Sequence, residues 1–232
     1  MRSIADILFT QGFGSRRQCL ALIASGVVCV RGEVITDPDA FFETQDLTFE
    51  VAGVLRRYQD KILIALHKPA GYECSVKPSS HPSVLRLLPA DFVTRGVQPV
   101  GRLDEDTTGL LLLTDDGELN HVLTHPKRHV PKTYEVCLAH DATPAFLAKL
   151  EEGVVLRDDP HPVHALKVSL LGAKTIEVVI DFGRYHVVKR LIAAAGNRCV
   201  GLKRTGFGAF RLPADLASGK WRVIDPKVIF AP

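Results

Sequence analysis

One stretch constrains the fold of this chain more than any other, the segment Val100–Gly117, which reads VGRLDEDTTGLLLLTDDG. It opens with a polar loop and continues into the apolar run Leu110–Leu113. That run is short and is flanked by Gly109 and an Asp-Asp-Gly turn signal, which predicts a strand buried on both faces. A carboxylate on a loop beside a buried strand is held rigidly, as a reacting group must be. The segment therefore makes Asp104 a candidate site residue.

The same loop has a structural interpretation that needs no site. An Asp followed by two Thr and a Gly is typical of a loop whose side chains accept hydrogen bonds from backbone amides. Spacing alone does not separate this alternative from a reacting carboxylate.

Hydrophobic periodicity predicts alternating helices and strands along the rest of the chain. At the N-terminus, Ser3 with Asp6 and Ser15 with Gln18 resemble capping boxes, which predicts helices over 3–10 and 16–24. Later helices are predicted at 118–125 and 187–195, and residues 142–156 are interpreted as helical and connective. Strands are predicted at 27–30, 33–35, 47–51, 62–69, 131–139, 174–181, 200–212 and 221–224. Residues 157–173 are interpreted as a loop that gives way to a strand at 165–171.

Charge is unevenly distributed. The net charge is +3, yet from Arg184 onward there are ten Lys and Arg against two Asp, a net charge of +8. A basic segment of this kind indicates a phosphate-rich partner, although a solvated surface would have the same composition.

The composition also argues against several classes of protein. No apolar run approaches the roughly 18 residues of a membrane span, and Asp6 interrupts the stretch that a signal peptide would need. The five Cys are scattered without metal spacing, so we interpret them as buried free thiols. His121 and His125 stand four apart without an evident third ligand. We therefore expect a cytoplasmic protein that needs no metal, disulfide or cofactor.

The loop around Asp104 closely resembles a known family pattern. Gly101-Arg-Leu-Asp104 with Asp106-Thr-Thr-Gly-Leu110 is similar to the signature loop of pseudouridine synthases of the RsuA type, which act on small-subunit (16S) ribosomal RNA. The resemblance implies that Asp104 is the catalytic residue.

Three further segments match the same family in the same order: Lys68–Ser75 (KPAGYECS), Lys132–Val136 (KTYEV) and Gly183–Gly196 (GRYHVVKRLIAAAG). The last departs from the family pattern, since Val187 replaces a Gln and Leu191 a Met. The departure at Val187 removes a polar contact near the site.

The resemblance assigns roles to residues of these segments. It implies that Tyr134 packs beside the target base and that Lys189 is the basic partner of Asp104. Substrate binding is expected from Arg102, Lys68, Tyr72, Lys132, Arg184, His186 and Arg190. Without the resemblance, Tyr134 would be interpreted as a strand residue facing a core, and Lys189 as an ordinary helix-surface lysine.

The first 55 residues or so resemble the S4 RNA-binding module, through Gly14-Ser-Arg-Arg17, Ser25-Gly-Val-Val28 and Val30-Arg-Gly-Glu-Val34. Cationic groups at a helix N-terminus suit phosphates. Contacts to RNA are expected from Arg2, Arg16, Arg17, Arg31, Lys203 and Arg204. Residues 1–55 nevertheless carry a net charge of −3 and lack the Lys of the family's usual opening. A small helical cap without an RNA role is the alternative.

The chemistry that the resemblance implies fits these residues. Converting uridine to pseudouridine breaks the N1–C1′ bond and forms a C5–C1′ bond, and it needs an ionised carboxylate near the ribose. Glu105 and Asp106 would disfavour a charged Asp104, so a cation must oppose them. Lys189 fits that role, with Arg102 as a helper.

We therefore predict an α+β protein with an S4-like RNA-binding domain at 1–56 and a catalytic domain at 60–232, built on a mixed, mainly antiparallel sheet. It would act as a cytoplasmic monomer on ribosomal RNA or a small-subunit assembly intermediate, without membrane contact. Two alternatives stay open. One is a synthase for large-subunit (23S) ribosomal RNA. The other is a ribosome-assembly RNA-binding protein that no longer catalyses.

Overall fold

The computed structural model describes residues 1–156 and 159–231, and these form two compact units. The first consists of Met1–Ile62 together with Leu88–Gln98. The second consists of Leu63–Leu87 and the chain from Pro99 onward. The segment Leu88–Gln98, which we had placed in the catalytic domain, therefore packs with the N-terminal unit. None of the helices in the described ranges is long and apolar enough to cross a membrane.

The first unit combines three short helices with a small antiparallel sheet. Ser3 and Ser15 cap the first two helices as predicted, and Ser15 forms a reciprocal capping box with Gln18. The elements are β1 (Arg2–Ser3), α1 (Ile4–Thr10), α2 (Arg16–Ala24), β2 (Val28–Val30), β3 (Glu33–Val34), β4 (Phe41–Phe42), β5 (Thr48–Val51), β6 (Val54–Arg57) and α3 (Ala90–Thr94). The sheet order is β3-β2-β5-β6, and β1 pairs with β4. Apolar residues of α1 and α2 and of β2 and β5 form the core of this unit.

Polar contacts hold the segment Leu88–Gln98 in the first unit. The Arg95 guanidinium donates to the Gln11 side chain and to the Gln59 carbonyl, both at 2.9 Å. Arg56 pairs with Asp91 at 3.0 Å. Because these partners come from the chain before residue 62, the periodicity of the segment itself could not predict where it packs.

The second unit is built on one nine-stranded mixed sheet. Its strands are β7 (Leu63–Lys68), β8 (Gln98–Pro99), β9 (Thr108–Thr114), β10 (Lys132–Leu138), β13 (Lys167–Gly172), β14 (Thr175–Ile180), β15 (Cys199–Phe207), β16 (Phe210–Arg211) and β17 (Trp221–Ile224). The order is β13-β14-β10-β15-β9-β7-β17, with β16 on β15 and β8 on β9. β9 and β15 run parallel, and β10 pairs antiparallel with both β14 and β15. The predicted α+β class with a mixed, mainly antiparallel sheet is confirmed.

Helices and a hairpin complete this unit. The helices are α4 (Gly117–Thr124), α5 (Pro144–Glu152) and α6 (Val187–Ala194), with single 3-10 turns at Val84–Leu87, Pro126–Arg128 and Pro226–Ile229. The hairpin pairs β11 (Val154–Leu156) with β12 (Asp159–Val163). Strand β12 contradicts the loop predicted from residue 157, of which residues 157 and 158 lie outside the described ranges.

Strand β9 is an interior strand of the sheet and is buried on both faces, as its sequence predicts. Leu110, Leu111, Leu112 and Leu113 are all fully buried, because both faces of the strand are covered. Alternating residues Leu110 and Leu112 join a core with Leu63 of β7 and Phe207 of β15. The loop that carries Asp104 therefore leads directly into the most buried strand.

The register of four adjacent strands places the family motifs in one row across the sheet. Tyr134 of β10 is opposite Arg204 of β15, Arg204 is opposite Gly109 of β9, and Gly109 is opposite Lys68 of β7. Residues that are far apart in the chain thus meet at the start of β9, where the Asp104 loop ends. The row explains how separate sequence motifs form a single site.

Gly109 is required at its place in that row. Its φ is +99°, and a Cβ atom there would lie 2.2 Å from the Arg204 carbonyl oxygen and 2.8 Å from the Arg204 nitrogen. No other residue fits so close to a neighbouring backbone. The close approach brings Arg204 against the start of β9.

The cysteines are less uniformly buried than we expected. Cys19 and Cys74 are buried, whereas Cys29 and Cys199 are partly exposed and Cys137 is exposed. All five are free thiols. The interpretation as buried free thiols is therefore correct for Cys19 and Cys74.

Candidate active site

Hydrogen bonds from the segment Lys68–Cys74, which lies beneath the Asp104 loop, hold that loop in place. The Lys68 ammonium donates to three backbone carbonyls, those of Pro69 at 3.0 Å, Glu105 at 2.9 Å and Thr107 at 2.8 Å. Gly71 donates its N–H to the Glu105 carbonyl at 2.9 Å, and the Leu103 N–H contacts Cys74 Sγ at 3.4 Å. These bonds hold the backbone on both sides of Asp104 in place.

The resemblance had suggested that Lys68 lines the site, but Lys68 supports the loop and is not part of the cavity wall. Its side chain is fully buried, and burial lowers its pKa although the nearby acids oppose that shift. Neutral carbonyls take up its three donors, so no N–H of this ammonium remains for a substrate. Tyr72, the other residue expected from this motif, is half-buried and is not part of the cavity wall.

On its opposite side Asp104 faces helix α6. Lys189 Nζ lies 3.2 Å from Asp104 Oδ2, and His186 Nε2 lies 3.3 Å from Oδ1. The Asp104 side chain is 27% exposed, so it is partly desolvated yet accessible. The structure thus brings together the carboxylate and the cation that the sequence predicts.

Helix α6 presents these groups because its apolar side is buried. Val187, Val188, Leu191 and Ile192 are buried at helical spacing, which leaves the two basic residues between them at the edge. His186 precedes the helix in the left-handed conformation, with φ +48°. A non-glycine residue in this region is uncommon and is often associated with a functional site.

Lys189 is shared between two carboxylates. Its ammonium donates to both oxygens of Asp106, at 2.7 and 2.9 Å, in addition to its contact with Asp104. Partial burial opposes the charge of Lys189, but hydrogen bonds to Asp106 and Asp104 outweigh it and raise its pKa. The same hydrogen bond lowers the pKa of Asp106. Lys189 is therefore firmly cationic at neutral pH.

A cavity opens beside Asp104, with an empty volume of about 320 Å³ that includes space open to solvent. Its wall consists of Arg102, Leu103, Asp104, Thr107, Tyr134, Arg184, His186, Val187, Val188 and Leu202. Five of the predicted site residues line this cavity: Arg102, Asp104, Tyr134, Arg184 and His186. A sixth, Lys189, joins them through its ion pair with Asp104. Val187, where the chain departs from the family motif, also lines the cavity.

Two buried polar atoms near the cavity have no hydrogen-bond partner among the described residues. They are Thr107 Oγ1, in the cavity wall, and Arg204 Nη2. A buried hydroxyl without a partner costs free energy, and such groups cluster where a ligand completes the hydrogen bonding. Thr107 was not singled out by the sequence analysis, although it belongs to the signature loop. Because Thr107 lines the cavity, it is a further candidate site residue.

Arg204 was predicted to contact RNA, but its side chain is only 3% exposed. Its Nε donates to the Leu110 carbonyl at 2.7 Å, and its guanidinium lies 5.3 Å from the Phe207 ring centroid. Lys132, on the same face of β10 as Tyr134, also lies 5.3 Å from that ring. Burial and then the charge of Arg204 lower the pKa of Lys132 to about 8. Arg204 is thus an interior residue of the second unit and is not exposed on its surface.

The other predicted RNA contacts remain on or near the surface. Arg17 and Arg31 are exposed, and Lys203 is half-buried on β15. Arg2 and Arg16 are engaged within the first unit, with Asp60 at 3.4 Å and Asp6 at 2.8 Å. In the second unit, Arg190 donates to the Tyr185 carbonyl at 3.3 Å.

Sequence reasoning missed three apolar wall residues as well as Thr107. Leu103 and Val188 belong to recognised motifs but were given no role, whereas Leu202 comes from β15, where no motif was recognised. The only available signal for Leu202 was the strand pattern itself, which does not tell which face meets a cavity.

The arrangement supports chemistry at an electron-poor carbon. An accessible carboxylate, fixed between an ammonium and an imidazole, can attack such a carbon or stabilise a positive charge that develops there. Tyr134 provides an aromatic wall in the same cavity, which suits a planar ring.

Comparison with known proteins gives a consistent result. A family model described as RNA pseudouridylate synthase matches residues 62–194. The Ribosomal small subunit pseudouridine synthase A of Escherichia coli (strain K12) is 38% identical over 204 residues, covering 87% of this chain and 87% of that protein. The protein of the same name from Haemophilus influenzae is 34% identical over 90% of this chain and 89% of its own length. A crystal structure of a pseudouridylate synthase aligns over 99% of this chain and 98% of its own, with 30% identity and a TM-score of 0.69.

Proposed function

Because this chain belongs to the RNA pseudouridylate synthase family, we propose that it isomerises one uridine of small-subunit ribosomal RNA to pseudouridine, with Asp104 as the reacting carboxylate. One observation carries the proposal. Asp104 opens into a cavity that also contains Tyr134, and Lys189 Nζ lies 3.2 Å from its Oδ2 atom.

The reaction rearranges bonds without any net gain or loss of atoms. The bond from uracil N1 to ribose C1′ breaks, the base turns, and C5 forms a new bond to C1′. The proton on C5 is lost, and N1 gains one. Asp104 would act on C1′, either by forming a bond to it or by stabilising the positive charge that develops there. Both routes require the ionised carboxylate.

Lys189 would balance the negative charge of Asp104. Two carboxylates, those of Asp104 and Asp106, lie within 3.2 Å of its ammonium. A cation at that distance attracts both carboxylates directly. His186, 3.3 Å from Asp104, adds a second positive charge when it is protonated. Asp106 would act indirectly, as a positioning residue for Lys189.

Tyr134 and Thr107 would receive the uracil. A base must leave its stack to reach a carboxylate inside a cavity, and enzymes support the extruded base on an aromatic face. Tyr134 supplies that face in the cavity wall. The unpartnered Thr107 hydroxyl is a hydrogen-bonding group for a polar edge of the ring or for the ribose. Either contact would offset the cost of burying that hydroxyl.

The basic residues would hold the RNA by its phosphates, which position a substrate without reading its sequence. Arg102 and Arg184 belong to the cavity wall and Arg190 lies on the same helix as Lys189. The S4-like assignment of the first unit remains part of this proposal, with Arg17 and Arg31 as its exposed cations. The names of the Escherichia coli and Haemophilus influenzae relatives support small-subunit RNA as the target.

Mapping of pseudouridines in ribosomal RNA tests the proposal. The RNA would be compared between cells with the gene, cells without it, and cells that carry the Asp104→Asn form. We expect one pseudouridine of small-subunit RNA to vanish in the second and third strains, while every large-subunit site persists. Cells with a Glu105→Gln form serve as the matched control and should keep the modification.

Each other result has a defined meaning. Loss of a large-subunit site would refute the small-subunit assignment and leave the isomerase activity in place. An unchanged map in the deletion strain would overturn the proposed substrate altogether. A complete map in the Asp104→Asn strain would overturn the role of Asp104.

A further inference from the structure

A stack of two rings stands at the mouth of the cavity. The ring centroids of Tyr185 and His186 are 3.8 Å apart, and the two planes differ by 17°. His186 belongs to the cavity wall, whereas Tyr185 does not. Tyr185 is 77% exposed, more than any other large apolar side chain among the described residues. One face of its ring is covered by His186, so the other faces outward.

The stack is anchored to the reacting groups and to helix α6. His186 Nε2 lies 3.3 Å from Asp104 Oδ1, which fixes the imidazole against the catalytic loop. The backbone carbonyl of Tyr185 accepts a hydrogen bond from Arg190 of α6 at 3.3 Å. A ring that is already held loses little conformational freedom when a ligand covers it. An isolated exposed aromatic residue is unremarkable on a protein surface. Tyr185 differs, because its ring stacks on His186, which in turn contacts the Asp104 carboxylate.

The surroundings define the kind of ligand that would cover this ring. A flat aromatic face suits a flat ring that is carried on an anionic backbone when cationic residues lie beside it. Arg184 precedes Tyr185 in the chain, and Arg190 donates to the Tyr185 carbonyl. Proteins bind single-stranded nucleic acid with this combination, in which bases stack on aromatic side chains and basic groups follow the phosphates. An unpaired nucleobase is therefore the chemical class that fits.

The base over Tyr185 would not be the one that reacts. The reacting uracil has to reach Asp104 inside the cavity, and Tyr185 lies outside the cavity wall. Extrusion of a nucleotide breaks its stacking on both neighbours and leaves them exposed. A neighbouring base that moves onto Tyr185 would recover part of that lost stacking.

We propose that the outward face of Tyr185 is a binding subsite for the unpaired base that adjoins the target uridine in the RNA. The inference rests on the proposed function, because it concerns the RNA that enters the same cavity. It adds a contact outside the cavity, to a nucleotide that is not modified.

The test combines protein variants with RNA lacking single bases. Wild type, Tyr185→Ala and Tyr185→Phe would be compared on an RNA fragment that contains the target uridine, and on two fragments with an abasic nucleotide immediately before or after it. Both kcat/KM for pseudouridine formation and RNA affinity would be measured. Phe230→Ala is the matched control, since Phe230 is also an exposed aromatic residue of the second unit, at 53%.

On intact RNA, Tyr185→Ala should lower kcat/KM about 10-fold, within the range for one base stacked on an aromatic ring. Tyr185→Phe keeps the ring and should recover most of the wild-type value, and Phe230→Ala should leave the rate unchanged. On one of the two abasic fragments, wild type should lose about the same factor. On that fragment Tyr185→Ala should then cause no further loss.

The coupling distinguishes a stacking contact from a structural role. If Tyr185→Ala acts by releasing His186 from Asp104, its loss will be the same on all three RNAs, and the subsite is refuted. The subsite is also refuted if Tyr185→Ala equals wild type on intact RNA, or if Tyr185→Phe is as impaired as Tyr185→Ala. Failure of the proposed function would look different, because wild type itself would then convert none of the fragments. Affinity measured on the three RNAs still reports the coupling in that case.

Discussion

Two lysines on opposite sides of the Asp104 loop show how one residue type serves two purposes. Lys68, beneath the loop, is fully buried and donates to three neutral carbonyls. Lys189, above the loop, is 25% exposed and contacts two carboxylates. Burial lowers the pKa of Lys68, whereas hydrogen bonds to Asp106 and Asp104 overcome partial burial and raise the pKa of Lys189. Lys68, beneath the loop, fixes the loop backbone, and Lys189, above the loop, balances the charge of the two carboxylates.

The comparison predicts that the two sides fail in different ways. Substitutions beneath the loop should cost stability and activity together, because the backbone around Asp104 loses its support. Substitutions above the loop should cost activity alone, because the charges there are partly hydrated and hold no buried backbone.

The largest effect should come from Lys68→Met, which leaves three carbonyls without their buried donor. Removing one side of a buried charged hydrogen-bond set typically costs about 3–5 kcal/mol of unfolding free energy. Denaturant unfolding should show this loss, and turnover should disappear with it. Lys77→Met, at an exposed site of the same unit, is the control and should change neither. A stable Lys68→Met protein with normal turnover would contradict the claim that Lys68 supports the loop backbone.

Lys189→Met should lower turnover about 100-fold, roughly 2.7 kcal/mol, with little change in unfolding free energy. Without the ammonium, the carboxylates of Asp104 and Asp106 lose the cation that they share, and Asp104 loses a contact that holds it in place. Steady-state turnover checks this, with Lys149→Met on α5 as the control. A Lys189→Met protein with wild-type turnover would show that Lys189 does not support Asp104.

Thr107→Val should have a smaller effect, because it removes one hydroxyl and keeps the shape. If the substrate satisfies Thr107 Oγ1, kcat/KM should fall about fivefold, or about 1 kcal/mol. Unfolding free energy should rise or stay level, since the hydroxyl has no partner among the described residues of the protein. Thr107→Ser keeps the hydroxyl and should retain more activity than the Val variant. A Val variant with full activity would remove Thr107 from the site.

The smallest effect concerns Lys132, whose pKa is lowered to about 8 by burial and by Arg204, with Asp181 opposing. The ammonium is therefore mostly present at pH 7 and mostly lost at pH 9. If it contacts a phosphate, RNA affinity should weaken a few-fold over that interval, as expected for the loss of one phosphate contact. Titration of binding between pH 7 and 9 measures the change, and Lys132→Met should flatten it. If RNA affinity changes equally with pH in wild type and Lys132→Met, the pH dependence comes from a group other than Lys132.

Local features of the fold could be predicted from the sequence, and long-range partners could not. The caps at Ser3 and Ser15 and the buried strand over Leu110–Leu113 depend on neighbours within a few residues, so their patterns were sufficient. The segment Leu88–Gln98 packs by contacts to residues before 62, which no local pattern reveals. Strand β12 was missed because Pro160 and Pro162 are typical of loops.

The site shows the same limit at the level of side chains. The motifs identify Lys68 and Lys189 equally well as lysines of interest, but only the strand register and the position of α6 decide which groups they meet. Arg204 was interpreted as a surface cation for the same reason. It is buried because Gly109 leaves room beside it, a consequence of two strands that pair across almost a hundred residues.

The most direct test of the account is the turnover of Asp104→Asn, measured together with its unfolding free energy and RNA affinity. The substitution keeps the shape of the side chain and removes its charge. We predict turnover at least about 10³-fold lower, roughly 4 kcal/mol of transition-state stabilisation, at every pH, with stability and affinity close to wild type. Glu105→Gln, the neighbouring exposed acid, should retain activity. An Asp104→Asn protein that still forms pseudouridine would contradict the central claim, that this carboxylate is the reacting group.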